Sequence, residues 1–429
     1  MDALHNRRQF LKTGASAAGA FALAQRAFGG ITDALNAIPA LDNPLDRVSD
    51  ESFWVPIQRG FDLPPQFTNL EHGYFSMMPT ENLELLLERS RAVNTEASYF
   101  MRTKMRNMLE EVRTYLADFA GCGPDEIAIT RNTTESMNIV IQGLDLKAGD
   151  EVILGDQDYG SMVEALKFRA ERDGILLKTV EVPLNPESDE EIVSVFEEAI
   201  TSKTKLMHVT HLINITGHVL PVAKISEIAK SKGIDVLVDS AHGFAHIDYK
   251  VGDFKCDFMG TSLHKWLCAP LGLGALYVKK ERVKDIQPLI GRIREPDNIR
   301  KLDTLGTQPY AAHETIPDCI SFHNAIGSEL KQERLRYLRQ RWVEKVIGHP
   351  NVIYNSPLQH ERTCAIGNVG IQGMAPKDFA QKLYDDYQIF TVPIGHKRVP
   401  GLRITPHLCT RIEEVDRFAE AVLEIAEQI

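Results

Sequence analysis

The stretch that decides the fold is Ile234-Asp235-Val236-Leu237-Val238-Asp239, together with Thr261-Ser262-Leu263-His264-Lys265-Trp266 further along the chain. The first segment is a short apolar run that ends in an acid, which is typical of a buried strand. In the second, a lysine follows a Ser-x-His triplet and precedes a glycine-rich apolar run at residues 270–278. Parallel sheets bind their ligands where the strands end. The sequence therefore predicts a ligand site around Asp239 and Lys265.

These residue types suit pyridoxal phosphate (PLP). An aspartate can hold the protonated pyridine nitrogen, a lysine can bind the aldehyde as a Schiff base, and Ser262 with His264 can anchor the phosphate. Lys265 is the candidate catalytic residue. The alternatives are a helix N-cap for Asp239 and an ordinary surface position for Lys265. The apolar neighbours of Lys265, among them Trp266, are poor surroundings for a solvated charge and favour the catalytic interpretation.

The order of these motifs over roughly residues 70–429 resembles that of class V aminotransferase-type PLP enzymes, most of all their isopenicillin N epimerase-like branch. This resemblance implies an α/β protein with the PLP-dependent transferase fold type I. Its large domain would contain a mostly parallel seven-stranded sheet, and a smaller α+β domain would follow at the C-terminus. The chain also resembles exported members of the family that modify the acidic side chain of a pyoverdine-type siderophore.

The resemblance places the cofactor phosphate on Thr133 and Thr134, between a strand and a helix. Hydroxyls and backbone N–H groups at a helix N-terminus form an anion site, although Thr134 could equally be a plain N-cap. Ser262 and His264 would complete the phosphate cup. The segment Gly306-Thr307-Gln308 resembles one that relatives donate to the phosphate of the neighbouring subunit. The resemblance therefore implies a homodimer, with Thr307 as a cofactor contact.

Three further residues are cofactor candidates by resemblance. Tyr159 occupies the position of an aromatic ring that stacks on the pyridine, and such a ring suits a flat cation. Asn214 matches an asparagine near the cofactor oxygen and the substrate. His242 stands where desulfurase-like members carry a glutamine near the phenolic oxygen. The alternatives are an ordinary half-buried tyrosine for Tyr159 and a structural turn histidine for His242.

Arg403 resembles the family arginine that grips the substrate α-carboxylate, since a guanidinium can make two parallel bonds to a carboxylate. The alternative is a structural ion pair with the acidic helix that follows. His72 and Tyr74 occupy the segment that lines the substrate pocket in relatives. The loop at residues 391–400 lacks the cysteine that desulfurases use to form a persulfide. Desulfurase action by that mechanism is therefore not expected.

The N-terminus predicts export. Arg7-Arg8, with Phe10 and Lys12, precedes a small apolar run that ends at Ala22-Leu23-Ala24, as in a twin-arginine signal peptide. We expect the twin-arginine translocase to carry the folded, cofactor-loaded protein to the periplasm, with no stable membrane anchor. A cytosolic amphipathic helix with two chance arginines is the alternative. No later apolar run is long enough to span a membrane.

Composition limits the function classes. The chain has 429 residues, 43% apolar and 25% charged, with a net charge of −11, which argues against nucleic acid or an anionic membrane surface as the main partner. The partner expected is a small amino-acid or peptide-like molecule, and no metal is expected. The six cysteines show no CxxC pair or disulfide framework. Most should be small core residues, and whether any pair is left open.

The chain divides into a signal (1–27), an N-terminal arm (28–70) with one short helix near residues 31–37, a large PLP-binding domain (71–305) and a small C-terminal domain (306–429). Helical spacing over residues 82–119 stops at Gly121, and strands and helices then alternate. A long helix over residues 320–344, short strands around 364–371 and 403–405, and a helix over 412–427 are expected in the last part. The arm should pack near it.

The function expected is PLP chemistry at the Cα of an amino acid or of an amino-acid side chain in a siderophore- or antibiotic-like metabolite, with Lys265 as general base or acid. Transamination, epimerisation and elimination share a Cα carbanion, so the sequence leaves them open. An isopenicillin N epimerase-like racemase or a carbon–sulfur lyase is the second hypothesis. A non-catalytic PLP-fold binding protein is the third, and the set Lys265, Asp239 and Arg403 argues against it.

Overall fold

The computed structural model of the protein describes residues 30–38, 42–291 and 295–429. The predicted signal peptide at residues 1–27, with Arg7-Arg8 and the expected cleavage region, lies outside the described residues. Among those described, no helix combines the length and the apolar character needed to cross a membrane.

Strands and helices alternate through the middle of the chain, as the apolar pattern predicts. The strands are β1 (Thr68–Asn69), β2 (Ile127–Thr130), β3 (Glu151–Gly155), β4 (Leu176–Val180), β5 (Thr204–Thr210), β6 (Asp235–Asp239), β7 (Phe258–Ser262), β8 (Gly274–Val278), β9 (Val352–Tyr354), β10 (Gly367–Ile371), β11 (Ile389–Phe390), β12 (Val392–Ile394) and β13 (Gly401–Ile404). The α-helices are α1 (Ile31–Asn36), α2 (Glu51–Gln58), α3 (Thr80–Glu96), α4 (Ser98–Thr103), α5 (Met105–Ala120), α6 (Thr133–Gly143), α7 (Gly160–Asp173), α8 (Asp189–Glu198), α9 (Val222–Ser231), α10 (Tyr310–Glu314), α11 (Ile316–Ile326), α12 (Ser328–Val346), α13 (Pro376–Tyr387) and α14 (Ile412–Ala426).

The central layer is a seven-stranded sheet in the order β2-β8-β7-β6-β5-β3-β4. Only the two pairs made by β8 are antiparallel, and the other four are parallel. Alternate residues of β6 enter opposite cores: Val236 and Val238 belong to one buried cluster and Leu237 to another. Burial on both faces explains why these strands read as continuous apolar runs. The predicted mostly parallel seven-stranded sheet is confirmed.

The polar strand ends collect at one edge of this sheet. In the register of the parallel pairs, Asp239 lies beside Thr210 of β5 and beside Gly260 of β7. Ser262 ends β7, and Thr133 begins the helix that follows β2. The carboxyl ends of these strands therefore place the predicted cofactor residues side by side.

The C-terminal part contains a second, four-stranded antiparallel sheet in the order β12-β13-β10-β9. Its core joins Trp342 of α12 and Phe418 of α14 to the strand residues Val369 and Leu402. The N-terminal arm lies against this part of the chain, as expected. Strand β1 pairs with β11, and Glu71 forms a backbone bridge with Thr405. The domain boundaries drawn from the sequence stay a prediction.

Several predicted elements differ in detail. The helix expected over residues 320–344 is two helices, α11 and α12, because Gly327 between them has a φ of 96°. The helical stretch 82–119 is broken at Ala97, with a φ of 49°, although Gly121 ends it in a left-handed conformation as predicted. The arm contains a second helix, α2, which Asp50 caps by accepting from the Ser52 N–H. The edge strand β4 is not among the predicted elements, and most of its residues are exposed or half-buried.

Candidate active site

Lys265 lies in a tight loop directly after β7. The backbone N–H of Ala269 returns to the carbonyl of Leu263 at 3.1 Å, and that of Cys268 donates to the Lys265 carbonyl at 3.2 Å. This loop holds the lysine Nζ 3.1 Å from His242 Nε2. Burial lowers the pKa of Lys265 to about 8, and the nearby carboxylate of Asp239 opposes that shift only in part. About a tenth of the amine is therefore uncharged at pH 7, far more than for an ordinary lysine.

The tautomer of His242 follows from its second partner. Trp266 Nε1 donates to His242 Nδ1 at 3.3 Å, and an indole N–H can only donate. His242 Nδ1 is therefore an acceptor. Burial lowers the pKa of His242 well below its usual value, so the imidazole is neutral and carries its proton on Nε2. That N–H faces the Lys265 Nζ and can donate to the amine when the amine is uncharged.

Asp239 is buried at the end of β6, where its carboxylate accepts the Ala241 N–H at 2.9 Å. Burial raises the pKa of this carboxyl, and the charges of His208 and Lys265 oppose the rise. His208 Nδ1 lies 2.7 Å from the carboxylate of Asp158. Burial alone would lower the pKa of His208, but the Asp158 charge and hydrogen bond outweigh it and raise that pKa. The charge of His208 thus favours the charged state of Asp239, while burial and the Asp158 carboxylate oppose it.

Sequence reasoning missed His208 and Asp158 as parts of the site. Asp158 also accepts the Thr210 hydroxyl at 2.6 Å, and Thr210 lies beside Asp239 in the sheet. A histidine inside the apolar run of β5 was the available signal, because a buried polar side chain in a strand needs a partner.

The phosphate candidates gather where α6 begins. The Thr133 backbone N–H donates to Ser262 Oγ at 3.0 Å, and the two hydroxyl oxygens lie 2.7 Å apart. Asn132, rather than Thr134, caps the helix by accepting the Glu135 N–H at 2.9 Å. Thr134 is exposed at the same helix end. Hydroxyls beside a helix N-terminus form a site for an anion such as a phosphate.

The remaining cofactor candidates differ in how deeply they are buried. His264 Nδ1 lies 3.2 Å from the Leu273 carbonyl, and burial lowers its pKa to about 4. Tyr159 follows β3 with 39% of its surface exposed, and Asn214 is half-buried in the turn after β5. Thr307 lies in an exposed turn, and among the described residues no hydrogen bond joins it to the other candidates. Its assignment to a neighbouring subunit stays a prediction.

Arg403 is brought to the site, with a partner that the sequence did not indicate. Its Nε donates to Glu71 Oε2 at 3.1 Å, and its Nη2 also donates to the Glu71 carboxylate. The acids of the following helix pair elsewhere, Glu414 with Arg411 and Asp416 with Arg341. After burial, the charge of Arg403 is one of the causes that lower the pKa of Lys265 and of His242, so the guanidinium lies close enough to act on both side chains.

The two residues expected to line the substrate pocket have other surroundings. The His72 ring lies 5.4 Å from that of His407, and its Nε2 lies 3.7 Å from Cys409 Sγ. Burial lowers the pKa of His72 to about 4. Tyr74 is 72% exposed. Among the described residues no hydrogen bond or ring contact joins either residue to Lys265, and their role as substrate contacts stays a prediction.

All six cysteines are free, and five of them are buried. Burial raises the pKa of Cys364 and Cys256 to about 12, so these thiols stay protonated. The expectation that most cysteines are small core residues is confirmed. Among the described residues, no group of histidines, cysteines and acids has the arrangement of a metal site.

The donor set fits PLP. Lys265 offers an amine for the aldehyde, the buried Asp239 offers a carboxylate for the pyridinium nitrogen, and Thr133 with Ser262 offers hydroxyls at a helix N-terminus for the phosphate. These groups stand on adjacent strand ends of one mostly parallel sheet. Together the fold and the site define a PLP-dependent enzyme of fold type I.

The comparisons with known proteins agree. The aminotransferase class-V family matches residues 79–418, and the chain belongs to this family. The chain is 26% identical over 393 residues to the isopenicillin N epimerase of Amycolatopsis lactamdurans, covering 87% of this chain and 98% of that protein. An apo structure of cysteine desulfurase from Thermococcus onnurineus NA1 matches with a TM-score of 0.75 and 24% identity, over 85% of this chain and 95% of the other.

A mutant of the enzyme C-DES, solved with glycine covalently linked to its PLP cofactor, matches with a TM-score of 0.74 and 21% identity. The alignment covers 83% of this chain and 96% of the other. At these identities the two solved structures establish the fold, while the family match and the residues of the site carry the assignment as a PLP enzyme.

Proposed function

We propose that this class V PLP enzyme acts at the Cα of an amino acid, or of an amino-acid side chain in a peptide-like metabolite, in a transaminase-like reaction. The observation that carries the proposal is the Lys265 amine, buried beside Asp239 and His242 with its pKa lowered to about 8. Such an amine can hold the cofactor and then move a proton at the substrate Cα.

Different residues of the chain are proposed to bind the cofactor ring, the cofactor phosphate and the substrate. When bound, the cofactor supplies an electron sink for the charge that develops at Cα. Asp239 would hold the ring nitrogen in its charged form. Thr133 and Ser262 would hold the phosphate at the helix N-terminus. Arg403 binds the substrate carboxylate and so orients Cα toward the lysine Nζ.

The finer alternatives are an isopenicillin N epimerase-like racemase and a carbon–sulfur lyase. The 26% identity to an isopenicillin N epimerase over nearly its whole length favours the first of them. A cysteine persulfide mechanism is disfavoured, because the loop before β13 carries no cysteine. The buried thiols of Cys268 and Cys409 also have raised pKa values, which disfavours the thiolate that such a mechanism needs.

The test of the assignment is borohydride reduction of the cofactor-loaded protein, followed by mass spectrometry of its peptides. We expect the label on Lys265 and its loss in Lys265→Ala. Lys331 is a matched control, because burial lowers its pKa to about 8 as well while its Nζ is tied to the Trp266 carbonyl. A label on Lys331, or undiminished labelling of Lys265→Ala, would contradict the assignment.

For the cellular role, we propose a periplasmic enzyme that tailors a siderophore- or antibiotic-like peptide. The paired arginines Arg7-Arg8 and the small-residue run support export of the folded protein by the twin-arginine translocase. Replacing both arginines by lysine should leave folded, cofactor-loaded protein in the cytoplasm. A normal periplasmic yield from that variant, measured by cell fractionation, would contradict export by the twin-arginine translocase.

A further inference from the structure

The carboxylate-binding candidate Arg403 already holds a carboxylate in this structure. Glu71 accepts from Nε at 3.1 Å and from Nη2, so its two oxygens cover the Nε edge of the guanidinium. Both side chains are nearly buried, with 8% of Arg403 and 5% of Glu71 exposed. A side-on pair of this kind fixes the plane and the direction of a guanidinium.

Glu71 is itself firmly anchored. Its Oε1 accepts the Tyr74 backbone N–H at 2.8 Å, and its Oε2 lies 3.4 Å from the Thr405 hydroxyl. Its backbone N–H donates to Asn69 Oδ1 at 3.0 Å, and a backbone bridge joins it to Thr405. Expelling this carboxylate would break its contacts with Tyr74, Arg403 and Thr405 and leave a buried charge unpaired. Glu71 is therefore built to stay in place while a substrate binds.

The other edge of the guanidinium is free for a ligand. A guanidinium has five N–H donors, and Glu71 engages one on Nε and one on Nη2. Among the described residues Nη1 has no hydrogen-bond partner. It is not one of the fully buried side-chain atoms that lack a partner, so a ligand can reach it. The charge of the group acts on Lys265 and His242. The edge made by Nη1 and Nη2 can therefore take a second carboxylate near the catalytic lysine.

We propose that Glu71 is a positioning residue, which holds Arg403 by its Nε edge so that the Nη1 edge receives the α-carboxylate of the substrate. This inference rests on the proposed function, because it assumes a substrate whose reacting amine has a carboxylate beside it. It assigns to Glu71 the orientation of the carboxylate contact and no direct part in proton transfer.

The experiment compares two probes on the cofactor-loaded enzyme, L-alanine and ethylamine, which differ by the α-carboxylate alone. Their dissociation constants are measured from the change in the cofactor's visible absorbance. In Glu71→Gln, the amide keeps the size of the side chain but accepts only one of the two guanidinium bonds. We expect L-alanine binding to weaken at least tenfold and ethylamine binding to change less than threefold.

Glu81→Gln is the matched control. Glu81 is also a partly buried glutamate that accepts two backbone N–H groups, those of Ile31 and Thr32, but it caps α1 away from the site. Its replacement should change neither probe. Tighter L-alanine binding in Glu71→Gln would overturn the proposal, because Glu71 would then be a competitor that substrate must displace. Equal weakening of both probes, or no change in either, would overturn it too.

A crystal structure of Glu71→Gln separates this inference from the proposed function. The proposal requires the Arg403 guanidinium to rotate or shift when its Nε edge is released, and an unmoved guanidinium overturns it. If neither probe changes the absorbance of the wild-type enzyme, a panel of the other amino acids tests the substrate class. Failure of that whole panel would count against the proposed function, while the crystal structure alone would still decide the role of Glu71.

Discussion

Lys331 is a second lysine buried beneath the active-site loop, and its replacement by methionine gives a quantitative test of the structure. The side chain is 1% exposed, and its Nζ donates to the Trp266 carbonyl and lies 3.3 Å from His323 Nδ1. No carboxylate contacts it among the described residues. Burial accordingly lowers the pKa of Lys331 from its ordinary 10.5 to about 8.

The direction of the pH dependence follows from this lowered pKa. Between pH 8 and pH 10.5 the unfolded chain holds the Lys331 proton more tightly than the folded chain, so stability rises with pH in that window. The cost of burying the ammonium is fully present below pH 8 and is gone above pH 10.5. A difference of about 2.5 between the two pKa values corresponds to about 3 kcal/mol, of which about 2 kcal/mol falls between pH 7 and pH 9.5.

Lys331→Met removes this cost but also removes the main donor to the Trp266 carbonyl, and the loss costs about 1–3 kcal/mol. At pH 7 the two effects nearly offset each other, whereas at pH 9.5 mainly the loss remains. We therefore expect the free energy of unfolding of the variant, relative to that of the wild type, to be about 2 kcal/mol lower at pH 9.5 than at pH 7, so that the variant is relatively less stable at the higher pH.

Urea unfolding at equilibrium, followed by circular dichroism at both pH values, measures this difference. Subtracting the wild type removes the titration of all other groups. Lys205→Met is the control for the replacement of a lysine by methionine, because Lys205 is exposed on β5. A pH-independent difference for Lys331→Met would refute the buried, charged state that we infer.

Two other predictions concern the site. Trp266→Phe keeps an aromatic ring but removes the hydrogen bond from the indole N–H to His242. The visible absorbance of the bound cofactor should therefore titrate at a different pH. An unchanged spectrophotometric titration would contradict the tautomer assigned to His242. Arg403→Ala should weaken binding of carboxylate-bearing substrates by orders of magnitude and leave the cofactor spectrum nearly intact, while Thr307→Ala should loosen the cofactor, as measured by PLP dissociation. An active monomer in sedimentation, or equal PLP loss in both variants, would show that these two roles are wrongly assigned.

Much of the fold and of the cofactor site could be predicted from the sequence, because both depend on local patterns. The apolar runs that end at Asp239 and Ser262 identify buried strands and place their polar ends at one sheet edge. Lys265 follows the second run directly, so its position needed no long-range information. The glycine at 121 likewise ends its helix through its own backbone freedom.

Only the tertiary structure decided which distant side chains meet. Glu71 and Arg403 are separated by 332 positions, and His72 turns toward His407 because the arm crosses the C-terminal sheet at Thr405. In the sequence, Lys331 is one more polar position on a helix, whereas in the structure it is buried against Trp266. Periodicity reports which face of an element is buried, whereas the partner of a buried charge depends on the packing of elements that are far apart in the chain.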